Sequence, residues 1–333
     1  MSATSRRQEE RRSGPAGSVD SLREIRFLAV GDINLGRHVG QVILAGDTLF
    51  PFAGVGERFR QFDVVFGNLE SNISDQKGRT EDPTSNMVFT APPAAAWSLA
   101  KAGFGIVATA NNHALDFGES ARAQTVRFLD SAGVVHVGTG GNGRGLYDPV
   151  VIVSKGISIA CFAVTDLMNT TDSSWKSHVA AADTGKLLPA IRAVRKSADF
   201  VVVSYHGGEE YADRPSPRTK TFAWSVLKGG ADVFLGHHPH VPYGIDMRGG
   251  KIAVYSLGNF VFKQPSRLWT RYSFAFAMTI ARNDSVVRVS RVQIMPLRVD
   301  FQPVFLTEGA EADKVRDRVM SLSSREFAEQ CKW

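Results

Sequence analysis

Phe27-Leu-Ala-Val-Gly-Asp32-Ile-Asn34 is a short apolar run that ends abruptly in a carboxylate and an amide. Four further runs share that form: Val64-Val-Phe-Gly-Asn68-Leu-Glu70, Ile106-Val-Ala-Thr-Ala-Asn111-Asn112-His113, Val201-Val-Val-Ser-Tyr-His206 and Val233-Phe-Leu-Gly-His237-His238-Pro239-His240. Each reads as a strand with polar residues at its tip. In open α/β sheets, ligands bind outside the carboxyl ends of the strands. Five polar tips on one such edge converge however far apart they lie in the chain, and that places a site.

Outward from these runs, strand-like segments alternate with helical patterns, which predicts an α/β layered fold. Strands are expected at 25–30, 62–66, 104–108, 134–137, 150–153, 157–164, 200–204, 233–235 and 252–255. Pro92 and Pro93 open a helix over 94–101 that Gly103 closes. A second helix, 119–132, carries Ala121, Thr125, Phe128 and Leu129 at helical spacing, with Gly133 just past its end. Ser216 and Pro217 form an N-cap and first-turn pair for a third, which contains Phe222, Ala223, Val226 and Leu227 and stops at Gly229-Gly230. After Lys251 the pattern is strand-rich, with runs at 272–280 and 286–295. Residues 1–23 are polar and read as a disordered leader, 24–310 as one domain, and 311–333 as a C-terminal helical tail. Residues 138–145 are glycine-rich without the Lys-Ser/Thr ending of a phosphate loop, and are expected to form a mobile loop.

Composition excludes several classes. Of 333 residues, 43% are hydrophobic, too many for a disordered chain. No apolar stretch approaches the roughly 20 residues of a membrane helix. The formal net charge of +6 is mild, and no basic stripe follows residue 24, so no nucleic-acid partner is expected. Cys161 lies in an apolar run and Cys331 near the end of the chain, which predicts no disulfide. The N-terminal basic residues lack a following apolar stretch, so a cytoplasmic location is expected. The pattern is silent on oligomeric state.

Taken singly, each tip has a bland reading: Asp32 in an Asx turn, Asn112-His113 as a cap, His206 as a hydrogen-bonded structural histidine. The cluster His237-His238-Pro239-His240 resists one, because it gathers three of the eight histidines. Imidazole is the commonest metal ligand.

At this point the chain resembles the CapA (poly-γ-glutamate capsule biosynthesis) family, within the calcineurin-like metallophosphoesterase superfamily. The resemblance is carried by Gly31-Asp32-Ile-Asn-Leu-Gly-Arg37, Gly67-Asn-Leu-Glu70, Ala110-Asn-Asn-His113-Ala-Leu-Asp116-Phe-Gly118, His206-Gly-Gly-Glu209-Glu210-Tyr211, Gly236-His-His-Pro-His-Val241 and Tyr255-Ser-Leu-Gly-Asn259-Phe260. It implies a layered α/β/β/α sandwich with a divalent-metal site (Ca, Mg, Mn or Zn, one ion or two) and no organic cofactor. It would make Asp32, Asn112, His206, His238 and His240 ligands, with His237 an alternative to His238. Glu70 and Asn68 compete for the place of a bridging aspartate. His113 would be the neighbouring acid.

Two positions depart from phosphoesterase usage, Asn34 for histidine and Asn68 for aspartate, which removes strong donors for a second ion. Acid–base groups remain plentiful, so Asp32, His113, Asp116 and His206 are the expected catalytic residues. Arg37, Gly207, Glu209 and Asn259 are expected to contact substrate. Arg37 would clamp a carboxylate, and Gly207, where related chains carry tryptophan, would leave room for a bulky substrate residue. The resemblance extends to peptide epimerases of lasso-peptide biosynthesis. The leading expectation is accordingly a metal-dependent epimerase that exchanges an α-proton of a peptide substrate. The alternative is a CapA-type metallohydrolase acting on phosphoester or γ-glutamyl/peptide bonds in polyglutamate metabolism.

Overall fold

The computed structural model describes residues 23–141 and 143–332. The leader expected over 1–23 lies outside them except for Arg23. Two large sheets pack face to face and helices cover their outer sides, giving an α/β/β/α sandwich. The first sheet has nine strands. Its path runs Val304–Phe305, Val286–Arg298, Tyr272–Asn283, Arg23–Ile33, Val64–Leu69, Ile106–Ala108 and Val135–Val137, with Asn259–Val261 paired to the end of Arg23–Ile33. The second has six strands in the order Ile245–Arg248, Lys251–Val254, Val233–His237, Phe200–His206, Ile157–Thr165 and Val150–Ser154.

Period-two burial explains the layering. Phe27 and Ala29 point into the core between the sheets, whereas Leu28 and Val30 point to the outer layer, where Val39 and Leu99 pack. In the second sheet Val202 and Cys161 face inward, while Val201, Val203 and Phe162 meet Leu187, Ile191, Ala223 and Val226 of the outer helices. Strands clad on both faces read as unbroken apolar runs, which is why their polar tips stand out.

The three expected helices form as Ala95–Ala102, Gly118–Ala132 and Pro217–Lys228. Gly103 and Gly133 end the first two in the left-handed conformation, and the Ser216 hydroxyl caps the third by accepting from Thr219 N–H. Residues 310–330 carry two further helices, Ala310–Ser321 and Arg325–Gln330. Their Val315, Val319 and Phe327 enter the inter-sheet core, and Cys331–Lys332 pairs in parallel with Val286–Arg298. Both cysteines are buried and neither forms a disulfide among the described residues, and burial pushes the Cys161 thiol up to about 12. Among the described residues, no helix is long and apolar enough to cross a membrane.

Candidate active site

Parallel pairing fixes the relative heights of the tips. In the first sheet Asp32 sits opposite Asn68 on one side and Asn259 on the other. In the second, His206 is level with His237. Two glycines allow the strands to close at this edge. A Cβ on Gly31 would lie 1.8 Å from Gly258 O, and one on Gly236 would lie 2.0 Å from Tyr255 O, so no larger residue fits immediately before Asp32 or His237. His238 (φ 94°) and His240 (φ 59°) both adopt left-handed backbone, a sparsely populated conformation for such residues that recurs at functional sites.

Glu70 lies at the centre. It is fully buried, and neither carboxylate oxygen has a hydrogen-bond partner. Its Oε1 lies 3.9 Å from His113 Nε2, 3.8 Å from His206 Nε2 and 3.8 Å from His240 Nε2. Burial, and then the charges of Asp32 and Glu210, push its carboxyl well above the usual range. Imidazoles standing back from an unpaired buried carboxylate leave a cation-sized gap, and a buried polar group without a partner needs an explanation. Ligand atoms of Glu70, His206 and His238 lie within 4.8 Å of one another, as do those of Asp32, Glu70 and His240, and of Glu210, His238 and His240. This donor set of carboxylates and imidazoles suits a divalent ion. Glu70, His238 and His240 each belong to two of the groups, and of these three only Glu70 supplies a carboxylate.

The two residues expected to compete are thereby separated. Asn68 donates its amide N–H to Asp32 Oδ1 at 2.9 Å, and the same nitrogen lies 3.1 Å from His206 Nδ1. It orients both side chains from behind. His237 and His238 are separated as well: His237 Nδ1 rests 3.2 Å from Asp32 Oδ1 and joins none of the ligand groups, whereas His238 joins two. Burial would raise the Asp32 carboxyl, but hydrogen bonds with His237 and His240 hold it well below its ordinary value. Burial, followed by neighbouring imidazoles, drives His206 well below its ordinary value and His238 down to about 3. Burial thus favours the neutral form of both imidazoles, the form in which histidine ligates a metal.

Hydrogen bonds fix which imidazole nitrogens face the gap. The Asn259 amide donates to Gln264 Oε1 (3.0 Å) and Thr270 O (3.2 Å), which turns its oxygen toward His240 Nδ1 at 2.9 Å. His240 Nδ1 then carries the proton and Nε2 is bare. His113 Nδ1 donates to Asp116 Oδ2 (2.9 Å), a carboxylate held in turn by Phe89 N–H (2.9 Å), so His113 Nε2 also points at Glu70. Asn112 donates to Asn169 Oδ1 (3.0 Å), which leaves its own oxygen 2.8 Å from His206 Nε2.

Three expectations are corrected. Asn259 is buried and positions His240, with no face left for substrate. Glu209 points to solvent; its neighbour Glu210 faces the site, 3.9 Å from His240 Nε2. Gly207 makes no space: a Cβ there would meet Tyr205 Oη at 2.5 Å and Asp166 Cβ at 2.9 Å. Asn34, which stands where a histidine donor was expected to be missing, turns its Oδ1 away to accept from Gly36 N–H at 2.8 Å. A cavity of 260 Å³ lies instead beside Asn112 and Asp116, and Met168, Asn169 and Trp175 help to line it. Asn169 escaped sequence reasoning because it sits in a connection with no motif around it.

The family model described as Bacterial capsule synthesis protein PGA_cap matches residues 26–264. Capsule biosynthesis protein CapA of Bacillus anthracis is 30% identical over 300 residues, which cover 88% of this chain and 72% of that protein. PGA biosynthesis protein CapA of Bacillus subtilis is 34% identical over 250 residues, covering 73% of this chain and 63% of that protein. Among solved structures, the calcineurin-like phosphoesterase YfkN of Bacillus subtilis aligns with 90% of this chain and 97% of its own, at 12% identity and a TM-score of 0.47. The match spans every strand tip of the site, and the chain belongs to the bacterial capsule synthesis protein PGA_cap family.

Proposed function

We propose that the chain is a divalent-metal-dependent enzyme that breaks γ-glutamyl amide bonds in a polyglutamate-type chain. The observation that carries this reading is the unpartnered, fully buried Glu70 carboxylate ringed by three imidazole Nε2 atoms. The Bacillus relatives, a capsule biosynthesis protein and a PGA biosynthesis protein, suggest the substrate class.

Asp32, Glu70, Asn112, His206, His238 and His240 would hold the ion. When bound, it would supply Lewis-acid polarisation of a carbonyl and offset the negative charge gathered at this edge. The remaining chemistry falls to the chain's own groups. His113, held by Asp116, is aimed to deliver a proton from Nε2 to the departing amide nitrogen as water adds to the carbonyl carbon, which leaves a carboxylate and a free amine. Glu210, half-exposed beside His240, is the acidic group through which a proton reaches solvent. Asn68 and Asn259 keep Asp32, His206 and His240 in register.

A second reading is favoured by one feature. His113–Asp116 and His240–Glu210 are two acid–base pairs, as proton removal and return at a peptide α-carbon requires. One experiment separates the readings. Metal-loaded protein is incubated in D₂O with a γ-linked glutamate peptide, an α-linked peptide and a nitrophenyl phosphate ester. Cleavage of the γ-linked chain supports hydrolysis, and α-deuteration without cleavage supports epimerisation. Phosphate release alone contradicts both.

A further inference from the structure

Two arginines stand at the rim of the site on matching aromatic supports. Arg37 Cζ lies 4.6 Å from the centroid of the Phe89 ring, which stacks on His113 at 4.1 Å. Arg267 Cζ lies 4.7 Å from the centroid of the Tyr211 ring, whose own centroid is 6.0 Å from that of His240. Phe262 joins the two supports, 6.2 Å from Phe89 and 4.9 Å from His240. The supports are themselves anchored. Phe89 N–H donates to Asp116, Tyr211 N–H donates to Pro239 O, and Gln264 donates to the Tyr211 hydroxyl.

Neither guanidinium forms an ion pair with a carboxylate among the described residues, although Glu81, Asp116 and Glu70 all exert an electrostatic pull on Arg37 and Asp32, Glu70 and Glu210 gather in the site. Arg37 donates through Nη2 to Asn86 O, and its buried Nε has no partner. A guanidinium stacked on a ring keeps its in-plane N–H groups free for a bidentate carboxylate. Stacking also limits the side-chain entropy lost on binding. Two guanidiniums without ion pairs at the rim of one site suit an anion that carries more than one carboxylate, because one isolated carboxylate engages only one arginine in a bidentate fork.

We propose that Arg37 and Arg267 bind two carboxylates of one substrate chain, so that the enzyme selects a polycarboxylate over an isolated carboxylate. The inference rests on the reading that the substrate is a γ-linked glutamate chain and extends it by naming the groups that select it.

The test is calorimetric titration of the full chain with a five-residue γ-linked glutamate peptide and with the same peptide carrying α-carboxamides, each with and without metal. Arg267→Gln, at an exposed position, and Arg37→Lys, which keeps the charge but loses the fork, are each expected to weaken carboxylate-peptide binding about tenfold. The carboxamide peptide is expected to bind wild type weakly and to be indifferent to either change. Equal affinity of wild type for the two peptides, or unchanged affinity in both variants, overturns the proposal. Cleavage is followed in the same samples. Cleavage that survives without any arginine dependence leaves the proposed reaction standing and removes this inference. Arginine-dependent binding with no bond broken does the reverse.

Discussion

Asn68 offers the clearest energetic test of how the site is held. Asn68→Leu keeps the volume and removes an amide that donates to Asp32 Oδ1 at 2.9 Å and contacts His206 Nδ1 at 3.1 Å. All three residues are at most 1% exposed, so water does not replace what is lost. A hydrogen bond to a charged group contributes about 1.5–3 kcal/mol and one between neutral groups about 1 kcal/mol. Asp32 retains His237 Nδ1 at 3.2 Å and His238 N–H at 3.2 Å, which favours the lower half of the sum, about 3 kcal/mol. Urea unfolding of chelator-treated protein, followed by tryptophan fluorescence, measures it. The companion Asn68→Asp places a second carboxylate against Asp32. It should be less stable than wild type by about 3–5 kcal/mol without metal and gain more than wild type when metal is added. A loss below about 1 kcal/mol for Asn68→Leu, or equal metal stabilisation of Asn68→Asp and wild type, would refute the reasoning.

Other expectations follow from single contacts. Gly236→Ala drives a Cβ to 2.0 Å from the carbonyl of Tyr255, a backbone atom that cannot swing aside; a loss of about 3 kcal/mol in urea unfolding is expected, and a neutral result would show that the two strands are less closely apposed. Glu210→Gln should lower turnover at least about tenfold while Glu209→Gln leaves it within about twofold, a contrast that steady-state kinetics checks and that equal effects would contradict. Burial alone would raise the Asp199 carboxyl, but hydrogen bonds from Ser158 and Arg282 hold it below its ordinary value. Its stabilising contribution is therefore present above the unfolded-state value of about 3.9 and lost as pH falls through the folded one. The stability gap between wild type and Asp199→Asn should be full at pH 7 and shrink below about pH 4; a gap that does not change with pH excludes the linkage.

Much of this was legible in the residues because the fold writes a coarse signal. Strands covered on both faces appear as apolar runs, and the polar residues that end them are conspicuous by contrast, as at Asp32, His206 and His237. What stayed hidden is local geometry. Glu209 and Glu210 are adjacent in a turn where Tyr211 takes φ 62°, so no period says which carboxylate turns inward. Gly207 looked like missing volume, yet the Tyr205 side chain from the preceding strand fills it. The helix Thr184–Val194 was missed because Pro189 stands inside it, although Asp183 caps it. The strand Ser85–Ala91, which carries Phe89 over His113, has polar and apolar residues without clean alternation. Arg267 had no motif around it at all; only its stacking on Tyr211 marks it.

The account rests on a cation held around Glu70, and metal content tests that most directly. Protein stripped with chelator, dialysed separately against Mn²⁺, Zn²⁺ and Ca²⁺ and then freed of unbound ion is assayed by elemental analysis beside Glu70→Ala and a surface control, Glu329→Ala. Wild type and the control should retain at least one of these ions per chain at about one equivalent or more, and Glu70→Ala should lose most of it while keeping its fold by circular dichroism. Retention by folded Glu70→Ala equal to wild type, or no retained ion in wild type under any of the three metals, would contradict the account.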